Sequence, residues 1–159
     1  MHHFQVNPRR CYRGKITQAA VAANFSICSL LNQGGGDQYI AVLDWFVLSG
    51  ANAAQADAGV RTGTPIGSVG GTITPIWSSL GSGPGALYAG TNGTELVGDY
   101  FSGASVQGNW LHNYPFAILR PGEQFFISAQ SNNSARTLNI FWQVITALEL
   151  KGSGDPDSP

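Results

Sequence analysis

The stretch Gln38–Leu48, QYIAVLDWFVL, decides the fold. It is rich in β-branched and aromatic side chains, the composition of a strand. Regular alternation puts Ile40, Val42, Phe46 and Leu48 on one face and Tyr39, Leu43, Trp45 and Val47 on the other. A strand apolar on both faces is covered on both sides, by a second sheet and by something further, such as a neighbouring subunit. Asp44, on the Phe46 face, needs a hydrogen-bonding partner there.

Working outward, the segment Ile16–Leu31 (ITQAAVAANFSICSLL) leans towards strand through Phe25, Ile27 and Leu31, although its alanines would tolerate a helix. Gln33-Gly34-Gly35-Gly36-Asp37 separates it from the decisive strand. Beyond Ser49 the chain is glycine-rich, and turn signals such as Gly63-Thr64-Pro65, Gly70-Gly71-Thr72 and Gly81-Ser82-Gly83 punctuate it. Short strands are expected at 66–69, 73–77, 86–89 and 95–97, and Asn92-Gly93 carries the signature of a two-residue hairpin. The last third is the most regular part. A strand over 115–119, a type II turn at Arg120-Pro121-Gly122-Glu123 and a returning strand over 124–129 precede a long final strand over 136–150. Many short strands between turn signals predict an all-β fold: a single antiparallel β-sandwich, jelly-roll-like, over residues 16–150. Residues 1–15, with Pro8 and four of the eight Lys and Arg residues, read as an extended N-terminal arm, and residues 151–159 as a polar flexible tail.

Only 11% of the 159 residues are charged, against about 25% in an average soluble protein, and 21 are glycine. A surface so poor in charge suits a chain packed against partners, or else a low-charge secreted β-protein. The net charge of −1 gives no whole-chain reason to expect nucleic acid or an anionic membrane. There is no run of 18 apolar residues and no apolar signal-peptide core, so no transmembrane segment or leader is expected. Cys11 and Cys28 read as thiols, a disulfide between them being possible but unsupported.

Catalytic chemistry finds no foothold. His112 lies within the folded span but has no Asp or Cys close in sequence, and no zinc-ligand spacing occurs. Glu95 and Asp99 read as two loop acids, and the glycine-rich segments lack the Lys-Ser/Thr of a phosphate loop. No enzyme activity, catalytic residue, metal site or cofactor is expected. Three sequons, at Asn24, Asn92 and Asn132, are of the kind that chance supplies in a chain this rich in Asn, Ser and Thr. The assembly interface is expected at Arg9, Arg10, Arg13, Tyr39 and Trp45. Ligand or partner contacts are expected at Trp77, Tyr88, Tyr100 and Trp110, aromatics in or beside the loops that could stack on sugars or anchor an interface.

The segment FAILRPGEQFFISAQSNNSARTLNIFWQVI (116–145) resembles the closing strands of β-sandwich proteins from tailed bacteriophage particles. The shared features are an apolar strand, a Pro-Gly-Glu turn, a second strand, an Asn/Ala/Thr-rich loop and a long Trp-bearing final strand. The resemblance implies a virion structural protein, made in the host cytoplasm: a capsid decoration protein, a fibre component or a tail or neck subunit. Such proteins are commonly trimeric jelly rolls. The partners expected on that reading are the chain itself as a homotrimer, other virion proteins such as a capsid or tail protein, and a surface glycan. The competing expectation is a carbohydrate- or receptor-binding β-sandwich module that uses the loop aromatics.

Overall fold

A computed structural model describes residues 6–22, 24–50, 55–97, 101–104 and 115–152. The strands are β1 (Cys11–Gln18), β2 (Phe25–Asn32), β3 (Gln38–Ser49), β4 (Gln55–Thr62), β5 (Ser68–Val69), β6 (Thr72–Pro75), β7 (Gly85–Asn92), β8 (Phe101–Ala104), β9 (Ala117–Leu119), β10 (Glu123–Gln130) and β11 (Arg136–Thr146). A 3-10 turn, Pro8–Arg10, precedes them, and a short helix α1, Ala147–Gly152, follows.

Two sheets hold these strands, one of five in the order β6-β1-β11-β3-β9 and one of six in the order β5-β7-β2-β10-β4-β8. The pairing is nested. β1 runs antiparallel to β11, β2 to β10, β3 to β9 and β4 to β8. The chain is therefore one long hairpin ribbon, β1 to β4 outward and β8 to β11 back. Successive strands of each arm alternate between the two sheets, so the ribbon is rolled into a sandwich. That is a jelly roll. The strands β5 to β7 are inserted at the tip of the ribbon and widen both sheets, β6 beside β1 and β7 beside β2.

The core lies between the sheets and includes Ile16, Leu30, Ile40, Val42, Trp45, Leu87, Phe125, Ile127, Leu138 and Trp142. Trp142 is completely buried and stacks on Tyr12, with ring centroids 5.8 Å apart and planes 16° off parallel. Its indole fits because two strands omit a side chain. A Cβ on Gly14 would stand 2.7 Å from Trp142 Cζ3, and one on Gly85 would stand 3.0 Å from Cζ2.

β3 departs from the alternation expected of it. Asp44 lies opposite Phe141 and Val42 opposite Trp142, so Leu43 is an extra residue and the ladder shifts register there. Such a β-bulge inverts the facing of everything beyond it. Ile40 and Val42 before the bulge and Trp45 and Val47 after it all point into the core. Phe46 is only half-buried and Leu48 is 42% exposed, both on the outer face. Asp44 has the partner it needs. Its Oδ1 accepts the Trp45 N–H at 2.8 Å, beside the irregularity that the bulge creates.

Other local expectations change as well. The chain joins the five-stranded sheet at Cys11, within the span read as an arm, because Cys11–Gln18 finds a full ladder along β11. The turn at Arg120–Glu123 forms, with Gly122 at φ +82° and Glu123 N–H donating to Arg120 O at 3.0 Å. The strands on its two sides are nevertheless not paired with each other. β9 lies on β3 and β10 between β2 and β4, so the turn carries the chain from one sheet to the other. Asn92-Gly93 closes no hairpin. β7 pairs with β2 and β5, and the Asn92 side chain donates to Thr94 O at 2.8 Å instead. Residues 95–97 form no strand, and Leu96 N–H donates to Ser128 Oγ at 3.0 Å, which lays this segment against β10. The final strand stops at Thr146, where Glu149 accepts both the Thr146 N–H (2.7 Å) and its hydroxyl (3.0 Å) at the start of α1. Thr146-x-x-Glu149 has the sequence spacing of a capping box, and its Glu149 half, the carboxylate on the Thr146 N–H, is formed.

Candidate functional site

The first described residues are docked through Asn7 and Arg10. Asn7 caps the 3-10 turn by accepting the Arg9 N–H at 3.1 Å, and its own N–H donates to Gln143 Oε1 at 2.8 Å. Arg10 makes two hydrogen bonds to the Glu149 carboxylate, at 2.6 and 2.7 Å. These contacts bring the Pro8–Arg10 turn and α1 together over part of the outer face of the five-stranded sheet, where Cys11, Ala41, Gln143 and Ile145 are buried.

Of the residues expected at an assembly interface, Arg9 is exposed and its guanidinium carbon lies 5.4 Å from the centroid of the Trp77 ring. Trp77 is 47% exposed and follows Ile76, also exposed, whose N–H donates to Cys11 O at 2.8 Å. The structure thus brings together one expected interface residue and one expected contact aromatic. Arg10 is held by Glu149 and Tyr39 is half-buried at the start of β3. Trp45 is a correction: it is 7% exposed and packs on Phe116 and Phe125, with centroids at 5.6 and 5.4 Å. The bulge turned it inward. Tyr88 is half-buried on β7 and its hydroxyl accepts from Gln33 Nε2 at 3.1 Å. Tyr100, Trp110, His112 and Asp99 lie outside the described residues.

Arg13 stands elsewhere, on the open part of the outer face. Two cross-strand rows meet there. One runs Thr74, Arg13, Phe141, Asp44 and the other Thr72, Lys15, Asn139, Phe46. Together they line a hollow of about 480 Å³. Arg10–Glu149 is the one salt bridge among the described residues, so Arg13 and Lys15 face this hollow without a carboxylate partner. Asn139 Nδ2 is buried and meets no acceptor. Sequence reasoning reached Arg13 alone of this set. The i, i+2 spacing of Arg13 and Lys15 could have put both cations on one face. The residues contributed by β3, β6 and β11 could not have been gathered without the ladder.

The remaining polar chemistry is structural. Cys11 and Cys28 are free and buried, and burial pushes both thiols up to about 11. Arg136 is fully buried and donates to Gln130 O from Nε (3.1 Å) and from a terminal nitrogen (2.8 Å); burial lowers its pKa. Among the described residues no three His, Cys, Asp or Glu side chains gather as a metal site, and no helix is long and apolar enough to cross a membrane. Comparison of the chain with family models, with curated proteins and with solved structures finds no match. The class defined by the fold is a jelly-roll β-sandwich, and its described surface includes the Arg9–Trp77 platform and the hollow beside Arg13 and Lys15.

Proposed function

We propose that the chain is a non-enzymatic structural subunit of a multi-copy particle, one that oligomerises through its β-sandwich and contacts its neighbours through the Arg9–Trp77 platform. The observation that carries this reading is that platform: an exposed indole under a guanidinium, next to exposed Ile76, on a surface otherwise poor in charge. Trp and Arg are the residues that most often dominate protein interfaces. Jelly rolls build viral capsid shells as well as lectins, so the fold is compatible with the role without specifying it. The likeness of residues 116–145 to the closing strands of phage β-sandwich proteins points to a phage virion, as a capsid decoration or head- or tail-associated protein, with a homotrimer as the assembled form. Attachment runs through the docked Pro8–Arg10 turn, since residues 11–15 are committed to the sheet.

Light scattering on the purified protein tests the reading. A trimer that falls to monomer in Trp77→Ala and in Arg9→Ala supports it, and a wild-type monomer across the accessible concentration range overturns it. The second reading, a carbohydrate- or receptor-binding module, retains Trp77 as an exposed loop aromatic and is addressed by the same variant in a glycan-binding assay.

A further inference from the structure

We infer that the hollow on the outer face of the five-stranded sheet is a binding site for an acidic sugar, a pyranose carrying a carboxylate. Arg13 and Lys15 project from β1 on one face, roughly 7 Å apart along the strand. Neither has an ion-pair partner among the described residues, and the acid that shares the hollow, Asp44, lies two strands away from Arg13, on the order of 10 Å. Two like charges side by side over a concave surface form a focus of positive potential, which an anionic oxygen relieves. Asn139 lines the same hollow, and its Nδ2 is buried without an acceptor, which is rare in a folded protein.

The rest of the lining selects among anions. Phe141 sits between Arg13 and Asp44 in one row, and Phe46 ends the other, so the hollow presents apolar rings between its polar groups. Rings of this kind take up the C–H face of a pyranose. Thr72, Thr74 and Asn139 offer neutral hydrogen-bonding groups for the sugar hydroxyls. A chain with net charge −1 and two cations at this site is poorly built for a nucleic-acid backbone, which needs a longer basic track. The combination of paired cations, hydroxyl partners and two phenyl rings matches a uronic-acid residue within a glycan. The site is distinct from the Arg9–Trp77 platform and does not depend on the assembly role.

Isothermal titration with trigalacturonate at low ionic strength tests the inference, with maltotriose as the neutral control and inorganic sulfate as the bare anion. One trigalacturonate should bind per chain, maltotriose should give no heat, and sulfate should bind far more weakly. Arg13→Gln/Lys15→Gln should weaken trigalacturonate at least about tenfold, the usual consequence of losing charge-assisted hydrogen bonds. Both positions are exposed, so an unchanged thermal melt separates loss of binding from loss of fold. Absence of binding, affinity unchanged in the double variant, or sulfate binding as tightly as the sugar overturns the inference. So does a double variant whose principal change is in oligomer mass, since the hollow would then belong to a second copy of the chain. The Trp77→Ala variant should retain trigalacturonate binding whatever its oligomeric state, which keeps the two proposals separately testable.

Discussion

Arg10 and Glu149, at opposite ends of the chain, are joined by two hydrogen bonds of 2.6 and 2.7 Å, and Glu149 also receives the N–H and hydroxyl of Thr146. Burial alone would raise the Glu149 pKa. The hydrogen bonds from Thr146 and the charge of Arg10 outweigh it and hold the carboxyl below its ordinary range. A depressed carboxylate pKa stabilises the fold above the unfolded-state value and loses that contribution as pH falls through the folded-state value. The pair is partly exposed, so its worth is that of a surface ion pair, roughly 0.2–1 kcal/mol. Glu149→Gln should therefore lower the melting temperature slightly at pH 7, and the difference from wild type should shrink below about pH 4. Thermal melts of both proteins across pH 3–8 check this; a difference independent of pH would argue against the ion pair.

The bulge at Leu43 makes a prediction opposite to that of plain alternation. Trp45→Ala should cost about 3–5 kcal/mol, the range for an aromatic removed from a packed core. Leu48→Ala, on the outward side, should stay within about 0.5 kcal/mol. Urea unfolding of the two variants measures both values, and a costly Leu48→Ala with a mild Trp45→Ala would mean that β3 runs without the bulge.

Gly14→Ala should destabilise by about 1–3 kcal/mol, because the new methyl group meets the fully buried Trp142 ring. The double variant Gly14→Ala/Trp142→Phe, with a smaller ring, should show a less-than-additive loss in the same denaturation experiment. Strict additivity would show that the glycine is needed for some other reason.

The two thiols should be inert in the native protein. Both are buried with pKa values raised to about 11, so little thiolate forms near neutrality. A thiol-specific chromogenic reagent at pH 8 should label neither residue until denaturant is added, and a reductant should leave the melting temperature unchanged. The same raised values give a stability contribution that is full below the unfolded-state pKa and lost as pH rises towards 11. Alkaline melts of Cys11→Ser and Cys28→Ser should accordingly fall less steeply with pH than those of wild type.

Much of the architecture was legible because strands and turns are written locally. The apolar alternation of Leu138, Ile140 and Trp142 announced β11, and Arg120-Pro121-Gly122 announced its turn with the positive φ it requires. Cys11–Lys15 reads as arm because Arg13 and Lys15 make that stretch look polar, although they merely face outward while Tyr12, Gly14 and Ile16 face the core. The helix after Thr146 had a signal in the capping-box spacing, hidden behind the apolar strand that precedes it.

An all-β sandwich of low charge follows from local sequence, since period-two alternation and glycine-rich turns depend only on neighbouring residues. Tertiary structure alone decided which face Trp45 occupies, because the bulge arises where β3 meets β11, a strand almost a hundred residues later. It also decided that β9 and β10 part company across a tight turn, and that Arg13, Lys15, Asn139 and Phe46 share one hollow. Each of these rests on ladder partners distant in the chain, and a ladder between distant strands leaves no periodic trace in either strand alone.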